Sequence, residues 1–286
     1  MPKFDYVRPG SIAEAISLLN DPGHASRPLA GGTDLLVLVR HKEPDFDRLV
    51  DISALPELKA ISRRGDVISL GAGVTFSEAV ESEVLQEAAP FLVAACRAVG
   101  GPQIRNAGTI GGNVVNAAAC ADSLPVLVCL DAVAYLRGLQ GERAIPVTEF
   151  VLGPNRTQLA PGELLTHFTF DALPPGVRTF FHKVGRRRAQ AISRLTMAAM
   201  GHLDAARRVD FVRITPGSAT PQTVRFTQAE DMLLGQCPTD ELIAAAGRRV
   251  AETVIAITGR RWSSEYKEPV IVALAERALR RVLTDQ

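Results

Sequence analysis

The chain has 286 residues, 47% of them hydrophobic, and its 32 basic and 31 acidic side chains leave a formal charge of +1. That length and apolar content suffice for one large core or two modest ones, and they exclude the disordered and fibrous classes. The balanced charge gives no sign of a nucleic acid, a polyanion or a membrane surface as main partner.

The opening MPKFDYVRPG has no apolar leader, and no later segment approaches the roughly 20 uncharged apolar residues that cross a bilayer, so a cytoplasmic protein without a membrane span is expected. The first 60 residues read as strand, helix, strand, helix, strand. They comprise FDYV, a helix opened by Ser11 and Glu14 at capping-box spacing, the short strand Arg27–Ala30, LLVLVR as a buried helix, and RLVDIS. LKAI and VISLGAG predict a hairpin around Arg64–Gly65–Asp66. Thr75 and Glu78 form a second capping box, opening helical stretches that are broken at Pro90 and run to Val99. A glycine-rich segment from Gly100 to Gly112 follows. The strands AVAYLR and RAIPV flank Gly138–Gly141, and ELLTHFTF ends in the breaker Leu173–Pro174–Pro175–Gly176. Beyond it FFHKV and LTMAAMGHLD read as strands, and AEDMLLG, DELIAAAGRRVAETV and PVIVALAERALRRVL carry helical periodicity. The expected organisation is an α/β unit over residues 1–176 followed by a smaller α+β unit over residues 177–286.

Two glycine loops stand out as candidate binding elements. Thr109, Ile110, Gly111, Gly112 and Asn113 lie between Gly100–Asn106 and the polar residues Asn116 and Asp122. Without Cβ atoms, successive N–H groups can converge on phosphate oxygens and hold them without a lysine. Leu29, Ala30, Gly31, Gly32, Thr33, Asp34 and Leu35 repeat that pattern at a strand-to-helix junction, where a helix N-terminus adds unsatisfied donors. The alternative reading of each glycine pair is a tight turn. Known fingerprints do not fit: Gly71–Ala72–Gly73 is followed by Phe76 where the Rossmann pattern needs its third glycine, and no Gly-Lys-Ser/Thr P-loop occurs.

Little else suggests chemistry. Cys96, Cys120, Cys129 and Cys237 lack the spacings that hold zinc or an iron–sulfur cluster, and the five histidines never fall at the i, i+4 spacing of a helical metal pair. No metal site and no catalytic acid, base or nucleophile is assigned. Cys120, beside Asp122, reads as an inert thiol, and Arg186–Arg187–Arg188 reads as a subunit contact in preference to an RNA surface, having no interleaved aromatics.

LAGGTDLL at 29–36, VDIS at 50–53, GAGVTF at 71–76 and GPQIRNAGTIGGNVVNAAACADSLPVL at 101–127 resemble, in order and spacing, the FAD-binding medium subunit of the molybdenum hydroxylases, the family of xanthine and carbon monoxide dehydrogenases. PGELL at 161–165, the FHKVGRRRAQAIS stretch from 181, QAEDMLLG at 228–235 and the SSEYK-plus-helix ending resemble that family's C-terminal half. The resemblance implies a vanillyl-alcohol-oxidase (PCMH)-type FAD-binding domain of two α/β subdomains, followed by a small α+β domain. It implies non-covalent FAD, with Leu29–Leu35 and Thr109–Asn113 around the diphosphate and ribityl chain, Asp122 accepting hydrogen bonds from the cofactor, Leu165 packing on it and Lys183 on the flavin side. Val99 stands where the animal xanthine dehydrogenases place an aromatic ring against the flavin.

The implied partners are a molybdopterin-binding large subunit and a small subunit carrying 2Fe-2S clusters. Electrons would pass from those clusters through FAD to NAD or another acceptor. Such a role needs no catalytic residue from the protein, since the cofactor carries the redox chemistry. A free-standing vanillyl-alcohol-oxidase-type flavoprotein oxidase is the alternative.

Overall fold

The computed structural model describes residues 4–41, 43–187 and 189–284. Its first unit is a small parallel sheet in the order Asp5–Val7, Arg48–Asp51, Ser26–Leu29, covered by the helix Ile12–Leu19. Ser11 caps that helix by accepting the Glu14 N–H at 3.1 Å, whereas the Glu14 carboxylate turns to the Gly10 N–H at 2.7 Å, so only half of the expected box forms. The LLVLVR segment is helical, as Leu35–His41, but none of its residues is buried. Leu36, Val37 and Leu38 are about half exposed, a departure from the expected buried helix that periodicity alone could not reveal in an all-apolar run.

A five-stranded antiparallel sheet follows, ordered Ile61–Arg64, Val67–Gly71, Leu164–Asp171, Val133–Gly138, Gly141–Pro146. The first hairpin turns at Gly65, where φ is +61°. Its leading strand begins at Ile61, three residues later than LKAI suggests, because Pro56–Leu58 forms a 3-10 turn. Helices between Phe76 and Cys129 pack on this sheet, and Thr75 and Glu78 complete their capping box. Phe91, Phe150 and Phe168 are fully buried in the resulting core.

The last sheet is antiparallel, Arg178–Gly185, Ser193–Leu203, Val209–Gly217. Its third strand was not anticipated from the sequence. The helices Asp240–Thr258 and Ser264–Leu283 cover one face. The second starts five residues before the PVIVAL run and carries Pro269 inside it, in place of starting there. The middle strand is buried on both sides. Leu195, Met197 and Ala199 face the helices, while Ala198 and Met200 face the core of the five-stranded sheet. Side chains alternate along a strand, so a central strand between two layers reads as a continuous apolar run.

Asp51 ends the strand beside Leu29 and ties down the base of the first glycine loop. Burial alone would raise its pKa, but the Ser53 and Tyr6 hydrogen bonds and the Arg8 guanidinium outweigh that and hold the carboxyl at about 2, against 3.8 ordinarily. The contribution to stability is therefore complete above pH 3.8 and is lost as pH falls towards about 2. Asp51→Asn is expected to lower stability at neutral pH and to flatten that acid limb, which urea denaturation at stepped pH would measure.

Candidate cofactor site

The first glycine loop leaves the end of the Ser26–Leu29 strand and folds directly onto the second glycine segment. A Cβ on Gly31 would lie 1.8 Å from the Ala107 carbonyl oxygen, so the backbones touch with no room for a side chain. Gly32 has φ of +70°. Among the described residues the N–H groups of Gly32, Thr33 and Asp34 have no acceptor, while the Gly32 and Asp34 carbonyls start the following helix. Three adjacent unspent donors at a strand end suit a phosphate.

The second segment is built differently. The Ile110 N–H donates to the Val74 carbonyl and the Gly111 N–H to Ala72, each at 2.9 Å. Gly112 donates to Thr109 Oγ1 and Asn113 to the Thr109 carbonyl, each at 3.0 Å. Over Thr109–Asn113, where a convergent nest is expected, the N–H groups of Ile110, Gly111, Gly112 and Asn113 are used internally, capping the helix Ile110–Asn116 and stitching it to 71–76. Gly111 is needed because a Cβ would meet Ala72 Cβ and O at 2.5 Å. The Gly71–Ala72–Gly73 stretch, unassigned by any nucleotide fingerprint, is the splint that holds the segment.

Behind the loops lies a buried ion pair. Asp122 Oδ2 accepts from Lys183 Nζ at 2.6 Å and its Oδ1 from the Ser193 hydroxyl, while Lys183 also donates to the Ala98 carbonyl at 3.0 Å. Burial pushes the Asp122 carboxyl above its ordinary pKa, against the attraction of Lys183 and the hydrogen bonds from Lys183 and Ser193. Ser123 donates to Asn113 Oδ1 at 2.7 Å, joining this loop to the glycine helix. Burial, then the charge of Asp122, raises the Cys120 pKa, and Asp34 pushes the same way. Cys120 therefore stays a protonated thiol, and the first loop lies within electrostatic reach of it.

Asp122 and Lys183 are thus brought together, and Leu165 is buried in the core beneath. Ser193 and the Ala98 carbonyl were missed. The one signal for Ser193 is a hydroxyl at the head of an otherwise apolar, doubly buried strand. Val99 is partly buried against the core, and its carbonyl accepts from Arg105 at 3.0 Å. Arg187 folds back onto the Ala189 and Gln190 carbonyls; Arg188 lies outside the described residues. Among the described residues no group of three or more His, Cys, Asp or Glu side chains is placed to hold a metal, and no helix is long and apolar enough to cross a membrane.

A mixed α/β fold with unspent N–H donors at a glycine loop is the architecture compared with known proteins. Residues 2–170 match the family described as the FAD binding domain in molybdopterin dehydrogenase, and residues 180–282 match the CO dehydrogenase flavoprotein C-terminal domain. The chain belongs to this family of FAD-binding medium subunits and is an oxidoreductase subunit. It is 32% identical to the xanthine dehydrogenase FAD-binding subunit of Escherichia coli O157:H7, over 96% of this chain and 94% of the relative. It is 31% identical to subunit alpha of the 6-hydroxypseudooxynicotine dehydrogenase complex of Paenarthrobacter nicotinovorans, over 99% and 95%. The fold matches a chain of carbon monoxide dehydrogenase from Hydrogenophaga pseudoflava with a TM-score of 0.91 at 27% identity, covering 98% of this chain and 97% of that one.

Two substitutions separate bracing from binding. Gly31→Ala is expected to force the glycine segments apart, costing about 3 kcal/mol in chemical denaturation and abolishing flavin retention. Gly112→Ala, whose Cβ meets only Thr109 Oγ1 at 2.8 Å, should cost about 1 kcal/mol, the worth of a helix cap. Lys183→Met leaves Asp122 buried and unpaired and should cost about 3–5 kcal/mol, with part recovered in the Lys183→Met/Asp122→Asn double variant.

Proposed function

We propose that this chain holds FAD non-covalently and serves as the electron-exit station of a molybdenum hydroxylase, with residues 1–176 as the cofactor-binding unit and 177–286 as the unit that closes over it. The observation that carries the reading is the trio of unspent N–H donors at Gly32, Thr33 and Asp34, pressed against a second glycine segment that a diphosphate can approach closely. Leu29, Ala30 and Leu35 shape the rest of that loop, and Thr109, Ile110, Gly111, Gly112 and Asn113 form the facing wall. Asp122 accepts from the cofactor with the lone pairs that Lys183 and Ser193 leave over, Lys183 contributes positive charge beside it, and Leu165 contributes apolar surface.

FAD, when bound, supplies the one- and two-electron chemistry that joins single-electron clusters to a two-electron acceptor. The chain's own residues bind it, orient it and set the charge around it. Partners follow from the family: a molybdopterin-binding large subunit and a small subunit with 2Fe-2S clusters would deliver the electrons, and NAD or another acceptor would take them. The related complexes support that reading, since the matched proteins bear names such as medium chain of carbon monoxide dehydrogenase and subunit of a dehydrogenase complex. A cytoplasmic site of action accords with these partners.

The purified, folded chain should take up FAD on titration and release it intact on acid precipitation, read by flavin absorbance in the supernatant. A folded chain that takes up no FAD would overturn the assignment. In the holoenzyme, substrate-reduced flavin should reoxidise on adding NAD if that is the acceptor, and stay reduced until another acceptor is added if it is not.

A further inference from the structure

The final turns of the Ser264–Leu283 helix carry more positive charge than folding asks for. Arg277, Arg280 and Arg281 share one side of it, at spacings of three and four residues where like charges destabilise a helix. Arg280 and Arg281 fall in the last turn and answer the helix dipole there, and Arg280 is also paired with Asp240 of the neighbouring helix. Neither account covers Arg277, which lies a turn earlier and forms no ion pair with another described residue. Its guanidinium is held instead over the Phe180 ring, 5.9 Å from the centre. The charge is felt by the next side chain on that face of the strand: His182, whose ring stacks beside Phe180 at 6.2 Å, has its pKa lowered by burial and then by Arg277.

These side chains border a groove of about 430 Å³ between the helix and the edge strand Arg178–Gly185. Phe180 and Ala273 supply its apolar surface, the three arginines its positive charge, and Glu276 a carboxylate. Arg178 donates to the Thr284 carbonyl, fastening the start of the strand to the end of the helix. The groove is separate from the cofactor cleft. Side chains alternate along a strand, so Phe180 packs with the helix-side core, while Phe181 packs with the other core and Lys183 reaches Asp122.

A recess of this size, part apolar with a few convergent polar groups, suits a small ligand. Guanidinium groups pair with phosphate oxygens through parallel N–H donors and also stack on flat rings. A mononucleotide answers each part of the lining: a phosphate for the arginines, a flat ring for Phe180 and Arg277, and hydroxyl or amino donors for Glu276. We propose that this groove binds a nucleoside monophosphate, with its phosphate on Arg277, its base against Phe180 and Glu276 accepting from its polar groups. The site lies outside the flavin cleft and does not depend on the electron-transfer reading.

The test is titration calorimetry of AMP into the full chain loaded with FAD, so that the cleft is already filled, with adenosine and inorganic pyrophosphate as separate probes. AMP should bind saturably, and each of the other two at least about tenfold more weakly, since each lacks one half of the contacts. Arg277→Gln should weaken AMP roughly tenfold or more, the scale of a charge-assisted hydrogen bond, with flavin content and unfolding temperature unchanged. Arg137→Gln, which removes an exposed charge on the five-stranded sheet, should bind AMP as the wild type does. The His182 ring protons should shift on adding AMP to the wild type and stay in place in Arg277→Gln, read by NMR. No saturable AMP binding, or AMP binding that Arg277→Gln leaves intact, would overturn the site. Pyrophosphate binding as tightly as AMP would overturn the nucleoside assignment. A chain that takes up no FAD would sink the proposed function, while the comparison of wild type with Arg277→Gln would still decide this site.

Discussion

Asp122 sets the terms for the rest of the molecule. The residue is 5% exposed, and an ionised group at that depth persists only where donors reach it. Both side-chain donors come from the three-stranded sheet: Lys183 from the Arg178–Gly185 strand and Ser193 from the head of the next. The charge is therefore neutralised only when that sheet is docked, which ties the ion pair to the contact between the two halves. A pair this buried contributes little net stability, and its value lies in specifying which surfaces meet.

The same interface is fixed elsewhere along its length by unlike chemistry. Ala198 and Met200 pack into the core of the neighbouring sheet, and Gly217 approaches Pro125 so closely that a Cβ would lie 2.4 Å from its ring. Arg213 donates to the Cys129 carbonyl at 2.6 Å and pairs with Asp131, which also pairs with Arg225. Arg225 in turn neutralises Glu230, another buried carboxylate, whose Oε1 accepts the Ile214 N–H at 2.9 Å. Apolar packing supplies the stability of this contact and the charged groups supply its register. A sheet slipped by one residue would present Leu195 and Met197 to the wrong layer and strand Asp122 without Ser193.

The strongly patterned elements were legible in the sequence: the strands from AVAYLR to ELLTHFTF, the Thr75 capping box and the long C-terminal helices follow from period and caps. The Val209–Gly217 strand was not, because Arg213, Pro216 and Gly217 interrupt its apolar pattern and its pairing depends on a strand that is itself buried on both faces. LLVLVR shows the opposite error. An unbroken apolar run states that a segment avoids water and is silent on what covers it, and here none of the helix's residues is buried among the described residues. At the site, Asp122 and Lys183 were named from a family resemblance, yet their bond to each other, 61 residues apart in the chain, is a product of sheet docking that no local pattern encodes.

The two glycine loops show how one sequence signal can have two causes. Gly31–Gly32 and Gly111–Gly112 look alike as text, and each sits where a side chain would collide. In the first loop the glycines let the backbone pass against Ala107 and turn at positive φ, and the following donors are left unspent. In the second they let a helix start against Ala72, and every donor from Ile110 to Asn113 is used within the protein. A diphosphate gains hydrogen bonds only from N–H groups that have not already made them. On that ground the 32–34 donors are free to meet an anion, whereas the more elaborate 109–113 motif spends its own on fixing a helix against residues 71–76.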